Sequence, residues 1–82
     1  HSPIAQLYRG EFMAGYYDDW ILIERERLRE VFLTLLERLI EGSKKRGAYE
    51  RALVHARRLA EEDPWREAAH REVMRLCHLL GR

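Results

Sequence analysis

The chain has 82 residues and a formal charge of +1, and 46% of its residues are hydrophobic while 35% are charged. This length leaves room for one small domain, and the composition is typical of a folded helical protein rather than a disordered one. The near-neutral balance excludes the strong positive field that attracts DNA or an anionic membrane, and the single cysteine, Cys77, excludes an internal disulfide.

The N-terminal region is predicted to contain a short helix and an ordered loop. Ser2-Pro3 reads as an N-cap followed by a first-turn proline, which predicts a helix over Ile4–Tyr8 that Gly10 ends. Residues 11–18 lack both helical and alternating periodicity, which indicates a loop. The large side chains that would hold this loop down are Phe12, Met13, Tyr16 and Tyr17.

The longest predicted helix runs from Trp20 to about Lys45, with Asp18-Asp19 as its cap. Its apolar stripe recurs at three- and four-residue spacing and consists of Leu28, Val31, Phe32, Leu35, Leu36, Leu39 and Ile40. The cations Lys44, Lys45 and Arg46 complement the helix dipole at its C-terminal end, and Gly47 supplies a left-handed residue that ends the helix.

Two shorter helices follow. The first is predicted from about Ala48 to Glu62, with a stripe of Tyr49, Ala52, Leu53, Ala56, Leu59 and Ala60. Asp63-Pro64 starts the second, which is predicted from about Trp65 to Leu80 with a stripe of Ala69, Val73, Leu76, Cys77 and Leu80. The short turns favour antiparallel packing.

The spacing of two glycines predicts a helical repeat. Gly47 and Gly81 lie 34 residues apart, and Tyr49, Ala52, Ala56 and Pro64 stand at the offsets of one tetratricopeptide-type unit. We therefore predict an all-α fold of tetratricopeptide-like antiparallel helix hairpins, with about three main helices plus a short N-terminal helix, forming a single domain over residues 1–82. Because the chain begins at His1 and stops directly after an apolar helix, we expect it to be a fragment of a longer protein.

Several segments also carry a family resemblance. The most specific are Leu7–Trp20 (LYRGEFMAGYYDDW) and Glu24–Glu30 (ERERLRE), and weaker similarity lies in Arg46–Leu53, Asp63–Glu67 and His70–Met74. Together they resemble the bacterial transcriptional activator domain, a module of Streptomyces antibiotic regulatory protein-type regulators, where it usually follows a winged-helix DNA-binding domain. The resemblance spans nearly the whole chain.

The resemblance implies a helical regulatory module that acts through contacts with proteins or with its own chain. The winged-helix domain of the family is absent from these residues, so the resemblance assigns DNA binding to no position here. The family module is also usually longer, with further helices after Gly81, which leaves open what covers the apolar face of the last helix.

The sequence contains no pattern typical of a metal site, a catalytic site or a phosphate-binding site. The four histidines, His1, His55, His70 and His78, form no metal-ligand spacing with each other or with Cys77, which lies within an apolar stripe. The acidic pair at 18–19 and the acidic triplet at 61–63 lie at predicted helix boundaries, where capping explains them. Capping also explains Lys44-Lys45-Arg46 better than phosphate binding does. We therefore predict no enzyme activity, no cofactor and no metal.

Eight apolar side chains are candidates for protein contacts. The aromatic residues Phe12, Tyr16, Tyr17 and Trp20 either pack on the long helix or anchor a partner, and Trp65 either staples its turn or lies exposed. Leu76, Leu79 and Leu80 are predicted to lie on the uncovered side of the last helix, where a second copy could pack.

Two functional hypotheses follow. The first is a non-enzymatic regulatory module of a cytoplasmic bacterial transcriptional activator, whose partner is its own DNA-binding domain, the transcription machinery or a second copy, as in a homodimer. The alternative is a general tetratricopeptide-like adaptor or oligomerisation module. Neither hypothesis gives this chain a nucleic-acid partner, since its formal charge is only +1. Neither gives it a membrane partner, since no apolar run approaches the ~20 residues of a membrane span.

Overall fold

The computed structural model describes residues 10–82, with side chains from Gly15 onward. It contains three helices, which we name α1 (Gly10–Lys45), α2 (Tyr49–Glu62) and α3 (Glu67–Leu79), and no strand within the described range. The predicted all-α fold is confirmed. The predicted helix over Ile4–Tyr8 lies outside the described residues.

Helix α1 begins at Gly10, so the predicted loop over residues 11–18 is wrong. Asp18 and Asp19 lie within the helix and do not cap it. No proline interrupts this segment, and a single glycine such as Gly15 costs a helix only about 1 kcal/mol relative to alanine. Periodicity failed to indicate the helix because Tyr16 and Tyr17, the large side chains of this segment that the structure describes, are exposed rather than gathered on one buried face.

The chain divides into two compact units, with the boundary between Glu30 and Val31. In the first unit the described residues form the N-terminal part of α1, where side chains pair along the helix surface. Arg27 Nη2 lies 2.9 Å from Glu24 Oε1, and Arg29 Nη1 lies 3.7 Å from Glu26 Oε2. Such pairs at three-residue spacing stabilise a helix by about 0.2–0.5 kcal/mol each.

The second unit, residues 31–82, contains the hydrophobic core of the described chain. All three helices contribute to it, and its buried apolar residues are Leu33, Leu36, Ile40, Ala52, Leu53, Ala56, Leu59, Ala69 and Leu76. The small side chains of Ala52, Ala56 and Ala69 allow the helices to approach closely. Beside the core, the Arg58 guanidinium lies over the ring of Phe32 at 5.3 Å and joins α2 to α1.

The core face of α1 differs from the predicted stripe. Leu33, which the stripe omitted, is buried, whereas Val31, Leu35 and Leu39 are exposed. Apolar residues occupy two faces of this helix, so spacing alone could not tell which face is buried. The structure selects the face that contains Leu33, Leu36 and Ile40.

The turn between α1 and α2 confirms the predicted left-handed glycine. Gly47 has a φ of 75°, which only glycine adopts without strain. The Ala48 amide donates to the Ser43 carbonyl at 2.8 Å, and the Gly47 amide donates to the Lys44 carbonyl at 2.9 Å. These bonds satisfy carbonyls that the end of a helix leaves without partners.

Helix α3 begins at Glu67, two residues later than predicted, because Pro64 and Trp65 belong to the turn. The Asp63 carboxylate accepts a hydrogen bond from Arg66 Nε at 3.1 Å, so it stabilises the turn rather than the first helical amides. Helices α2 and α3 are antiparallel, since Arg57 contacts Cys77 and Glu50 near the start of α2 contacts Arg82 after the end of α3.

Candidate functional site

Three of the predicted contact residues form an exposed aromatic group on α1. Tyr16, Tyr17 and Trp20 are all exposed, and the rings of Tyr17 and Trp20 stack with centroids 6.3 Å apart. Stacking restricts two large side chains that otherwise have only solvent around much of their surface. Phe12, the fourth residue of this set, has its backbone in α1, and its side chain lies outside the described part of the chain.

Trp65 is the most exposed large hydrophobic residue in the described chain, at 91%. Its neighbours in the turn are fixed by polar contacts. Arg66 pairs with Asp63 at 3.1 Å and with Glu37 at 2.7 Å, while His70 Nε2 lies 2.7 Å from the Pro64 carbonyl oxygen. Of the two predicted alternatives, the structure shows exposure of Trp65 rather than stapling of the turn. The indole projects from an ordered turn.

The three leucines near the C-terminus do not share one surface. Leu76 is fully buried in the core, Leu80 is half-buried against it, and Leu79 is exposed. Leu76 therefore fills space between the helices and has no exposed surface with which to contact a partner. The predicted stripe put Leu76 and Leu80 together correctly, since both face the core.

A further exposed apolar row was missed by the sequence reading. Val31, Leu35 and Leu39 recur at four-residue spacing on α1, and each exposes about half of its surface. The signal was present in the sequence, because α1 has more apolar positions than one buried face can hold. From the sequence alone, this exposed row and the buried row of α1 form one broad apolar stripe.

An ion-pair network surrounds a shallow cavity of about 280 Å³ in the second unit. Its apolar part is formed by Ile40, Leu59, Ala68 and Ala69, and its polar part includes Glu37, Glu41, Arg66 and Glu72. Lys44 Nζ lies 3.4 Å from Glu41 Oε2 and 3.1 Å from Glu72 Oε2. Glu37, Glu41 and Glu72 thus each form an ion pair with a cation of the same chain.

Lys44 titrates differently from an isolated lysine. Burial acts to lower its pKa, but the hydrogen bonds and negative charges of Glu72 and Glu41 outweigh burial, so the pKa of Lys44 is raised. The ammonium group is therefore held in its charged form by its structural partners. The neighbouring Lys45 and Arg46 are exposed, and Lys44 and Lys45 occupy the last turn of α1, where cations complement the dipole.

The remaining reactive side chains do not converge. The Cys77 sulfur lies 3.7 Å from Arg57 Nη2. Within residues 10–82 no three His, Cys, Asp or Glu side chains are placed to hold a metal ion. No helix in this range combines the length and the hydropathy that crossing a membrane requires, since the longest, α1, carries charges throughout.

Comparison with known proteins gives one match. The family model of the bacterial transcriptional activator domain matches residues 4–82. No curated protein and no solved structure matches the chain. The family match includes both units and every helix described above, from the exposed aromatic group on α1 to the end of α3. The chain belongs to the bacterial transcriptional activator domain family.

Proposed function

We propose that this chain is a non-enzymatic regulatory module of a bacterial transcriptional activator and acts through protein contacts in the cytoplasm. The observation that carries the proposal is the family match over residues 4–82, combined with exposed aromatic side chains at Tyr17, Trp20 and Trp65. Its partners are its own DNA-binding domain, the transcription machinery or a second copy.

Exposed tryptophan and tyrosine support a contact function because these residues dominate the binding energy of protein interfaces. A monomeric protein gains nothing in stability from a Trp65 side chain that is 91% exposed. The ordered turn that carries Trp65 and the stack of Tyr17 on Trp20 reduce the entropy lost on binding. Both features suit a preformed contact surface.

The charge distribution supports a separate domain for DNA binding. The whole chain has a formal charge of +1, and many of its arginines are paired with glutamates of neighbouring turns or helices. Cations held this way release few counterions from DNA, so they contribute little to affinity.

Titration of labelled promoter DNA with the 82-residue chain in a gel-shift experiment at low salt tests this separation. We expect no tight complex, and any weak binding should be indifferent to sequence. Tight, sequence-selective binding by this chain alone would contradict the proposal.

A reporter assay tests the contact function. The chain is fused to an unrelated DNA-binding domain upstream of a reporter gene, and the Trp20→Ala and Trp65→Ala variants are compared with Val54→Ala, which removes an exposed aliphatic residue on α2. We expect the tryptophan variants to reduce activation at least fivefold at equal protein level, as interface anchors do. Activation that is equal in all variants would show that these tryptophans are not the contact residues.

A second function, a general tetratricopeptide-like adaptor, is favoured by one specific observation. Gly47 and Gly81, separated by 34 residues, both adopt left-handed φ angles, 75° and 76°, at the ends of helices. One helix hairpin lies between them, as in a repeat unit. The parent gene distinguishes the two functions: an upstream winged helix supports the activator, and many further 34-residue units support the adaptor.

A further inference from the structure

The second unit displays a large apolar side chain and, beginning at the next residue, a cavity. The indole of Trp65 is 91% exposed, so the second unit leaves it almost wholly in solvent. Arg66, the residue that follows, forms part of the wall of the shallow cavity of about 280 Å³. The most exposed tryptophan of the described chain is therefore a neighbour, along the chain, of this cavity.

The residues that line the cavity suit an indole. Its base consists of the buried side chains of Ile40, Leu59 and Ala69. The half-exposed carboxylates of Glu37 and Glu41 stand at its rim. An indole combines an apolar body with one N–H group that donates a hydrogen bond. The base would contact the ring, and a rim carboxylate can accept the N–H in addition to its ion pair, because a carboxylate accepts several hydrogen bonds.

The size and the charge of the cavity support the same ligand. An apolar cavity of about 150 Å³ holds benzene, so 280 Å³ has room for the two fused rings of an indole. Arg66 in the wall is a favourable neighbour for the face of the ring. The lining carries three carboxylates, those of Glu37, Glu41 and Glu72, and the one guanidinium of Arg66. This excess of negative charge disfavours an acidic ligand and tolerates a neutral one.

The cavity is also held open before any partner binds. Arg66 Nη1 lies 2.7 Å from Glu37 Oε2, and Lys44 Nζ lies 3.1 Å from Glu72 Oε2. These two ion pairs connect α1 to α3 and to the residue before it, so they fix the walls on both sides of the base. A preformed site loses less entropy on binding than one that must be ordered.

We propose that Trp65 of one copy inserts into this cavity of a second copy, so that the chain forms a symmetric homodimer. The inference rests on the proposed function and deepens it by naming one partner and the contact that it makes. Each copy carries one indole and one cavity within the same compact unit, so a two-fold axis can pair both at once and close the assembly. A different protein that filled the cavity would leave Trp65 exposed, whereas a second copy covers both features.

The area available for this contact predicts a weak dimer. Two buried aromatic side chains contribute about 150–250 Å² each, and the facing cavity walls contribute a comparable area. The total of roughly 600–1,000 Å² is at the small end of protein interfaces. We therefore expect dissociation constants weaker than about 1 µM, so the dimer should form at the high micromolar to millimolar concentrations of an NMR sample.

NMR of the two indole N–H signals tests the contact. We expect the Trp65 signal to shift with protein concentration, while the signal of Trp20 serves as an internal reference and stays constant. A sample that mixes isotope-labelled and unlabelled chains then distinguishes contacts between copies from contacts within one. We expect isotope-filtered NOEs from the Trp65 ring of one chain to the methyl groups of Ile40 and Leu59 of the other.

Two variants test the two halves of the contact separately. Trp65→Ala removes the indole, and Ala68→Gln narrows the cavity from an exposed position of its lining. We expect each to weaken the dimer by at least about tenfold, as loss of an interface anchor does. The matched controls are Val54→Ala, which removes an exposed apolar side chain, and Met74→Gln, which places glutamine at an exposed position of α3 outside this cavity. Both should dimerise within about twofold of the wild type.

Three outcomes would overturn the inference: a wild-type chain that stays monomeric at millimolar concentration, a dimer that Trp65→Ala or Ala68→Gln leaves intact, or NOEs that place the Trp65 ring elsewhere. Circular dichroism verifies that each variant is folded. The gel-shift and reporter experiments do not depend on these results. Loss of reporter activation in Trp65→Ala without a dimer would assign Trp65 to a different protein, so the dimer would be wrong and the proposed function would stand.

Discussion

Ser43 is the polar residue that the described core buries completely, and its hydroxyl oxygen has no hydrogen-bond partner. A buried hydroxyl without a partner costs about 1–3 kcal/mol relative to one that is solvated or bonded. The side chain lies one turn before Gly47, where its backbone carbonyl accepts the Ala48 amide. That backbone contact does not depend on the hydroxyl.

We therefore expect Ser43→Ala to raise the free energy of unfolding by about 1 kcal/mol, because alanine removes the unpartnered group and has a higher helix propensity. Urea denaturation at constant m measures the change. Thr34→Ala, at an exposed position of the same helix, serves as the control and should gain only about 0.5 kcal/mol from propensity. Destabilisation by Ser43→Ala would mean that the hydroxyl has a partner.

The ion pair of Lys44 with Glu72 predicts that the stability of the fold depends on pH. The pKa of Lys44 is raised above the ordinary value of 10.5 in the folded chain, so the contribution of Lys44 to stability is complete below the pKa of the unfolded chain. The contribution is lost as the pH rises through the folded pKa. We expect the wild type to exceed Lys44→Met by about 1–2 kcal/mol at pH 7–9 and the difference to shrink above about pH 10.5.

Chemical denaturation of both proteins between pH 7 and 11.5 measures this difference in the free energy of unfolding. Effects of high pH that the two proteins share cancel in the difference. Lys45→Met is the matched control, because Lys45 is exposed and has no ion pair in the described structure. Its effect on stability should be below about 0.5 kcal/mol throughout. A constant difference for Lys44→Met up to pH 11.5 would contradict the pairing with Glu72.

At the scale of the elements, helix ends were easier to predict than helix beginnings. The end of α1 near Lys45 and the left-handed Gly47 were both read correctly, because glycine and a cluster of cations mark a C-terminus by their own chemistry. The start of α1 was placed ten residues too late. The N-terminal signal, Asp18-Asp19, is equally compatible with a cap and with exposed positions inside a helix.

The interaction candidates show where sequence reasoning stops. Trp20 and Trp65 could be named as candidates from residue type alone, and both are exposed. The exposure of Val31, Leu35 and Leu39 could not be predicted, because the choice of core face depends on which side chains α2 and α3 place against α1. Burial of Leu76 and exposure of Leu79 were likewise decided by packing.

The turn between α1 and α2 depends on the positive φ angle of Gly47. A Cβ at Gly47 would meet no atom within 4 Å, so Gly47→Ala introduces no clash and the cost is the strain of a positive φ. We expect destabilisation by about 1 kcal/mol, measured by thermal unfolding.

Gly15→Ala provides the contrast, since Gly15 lies within α1, has open space around it and has no positive φ. We expect this change to increase helicity and to stabilise α1 by about 0.5–1 kcal/mol. Opposite signs for the two substitutions would support the assignment of one glycine to a turn and the other to a helix. Equal destabilisation would contradict a helix that begins at Gly10.

At the scale of the whole molecule, the two units contribute different properties. The second unit holds the described core, whereas the described part of the first unit contributes exposed aromatic and acidic residues and helix-surface ion pairs. A core of nine buried apolar residues, three of them alanines, leaves a small margin of stability. Each buried leucine therefore carries a large share of the free energy of folding.

Leu76 and Leu79 test how much a buried leucine contributes to stability, because they lie on the same helix and differ in burial. Leu76 is fully buried, whereas Leu79 is 58% exposed. We expect Leu76→Ala to cost about 2–5 kcal/mol, since it removes a packed side chain and leaves a cavity between the helices. That loss approaches the whole stability expected of a small domain, so the variant should unfold substantially at 37 °C. Leu79→Ala should change the free energy of unfolding by less than about 0.5 kcal/mol. Urea denaturation of both variants measures the costs, and similar values for the two would mean that α3 presents a different face to the core than the one described.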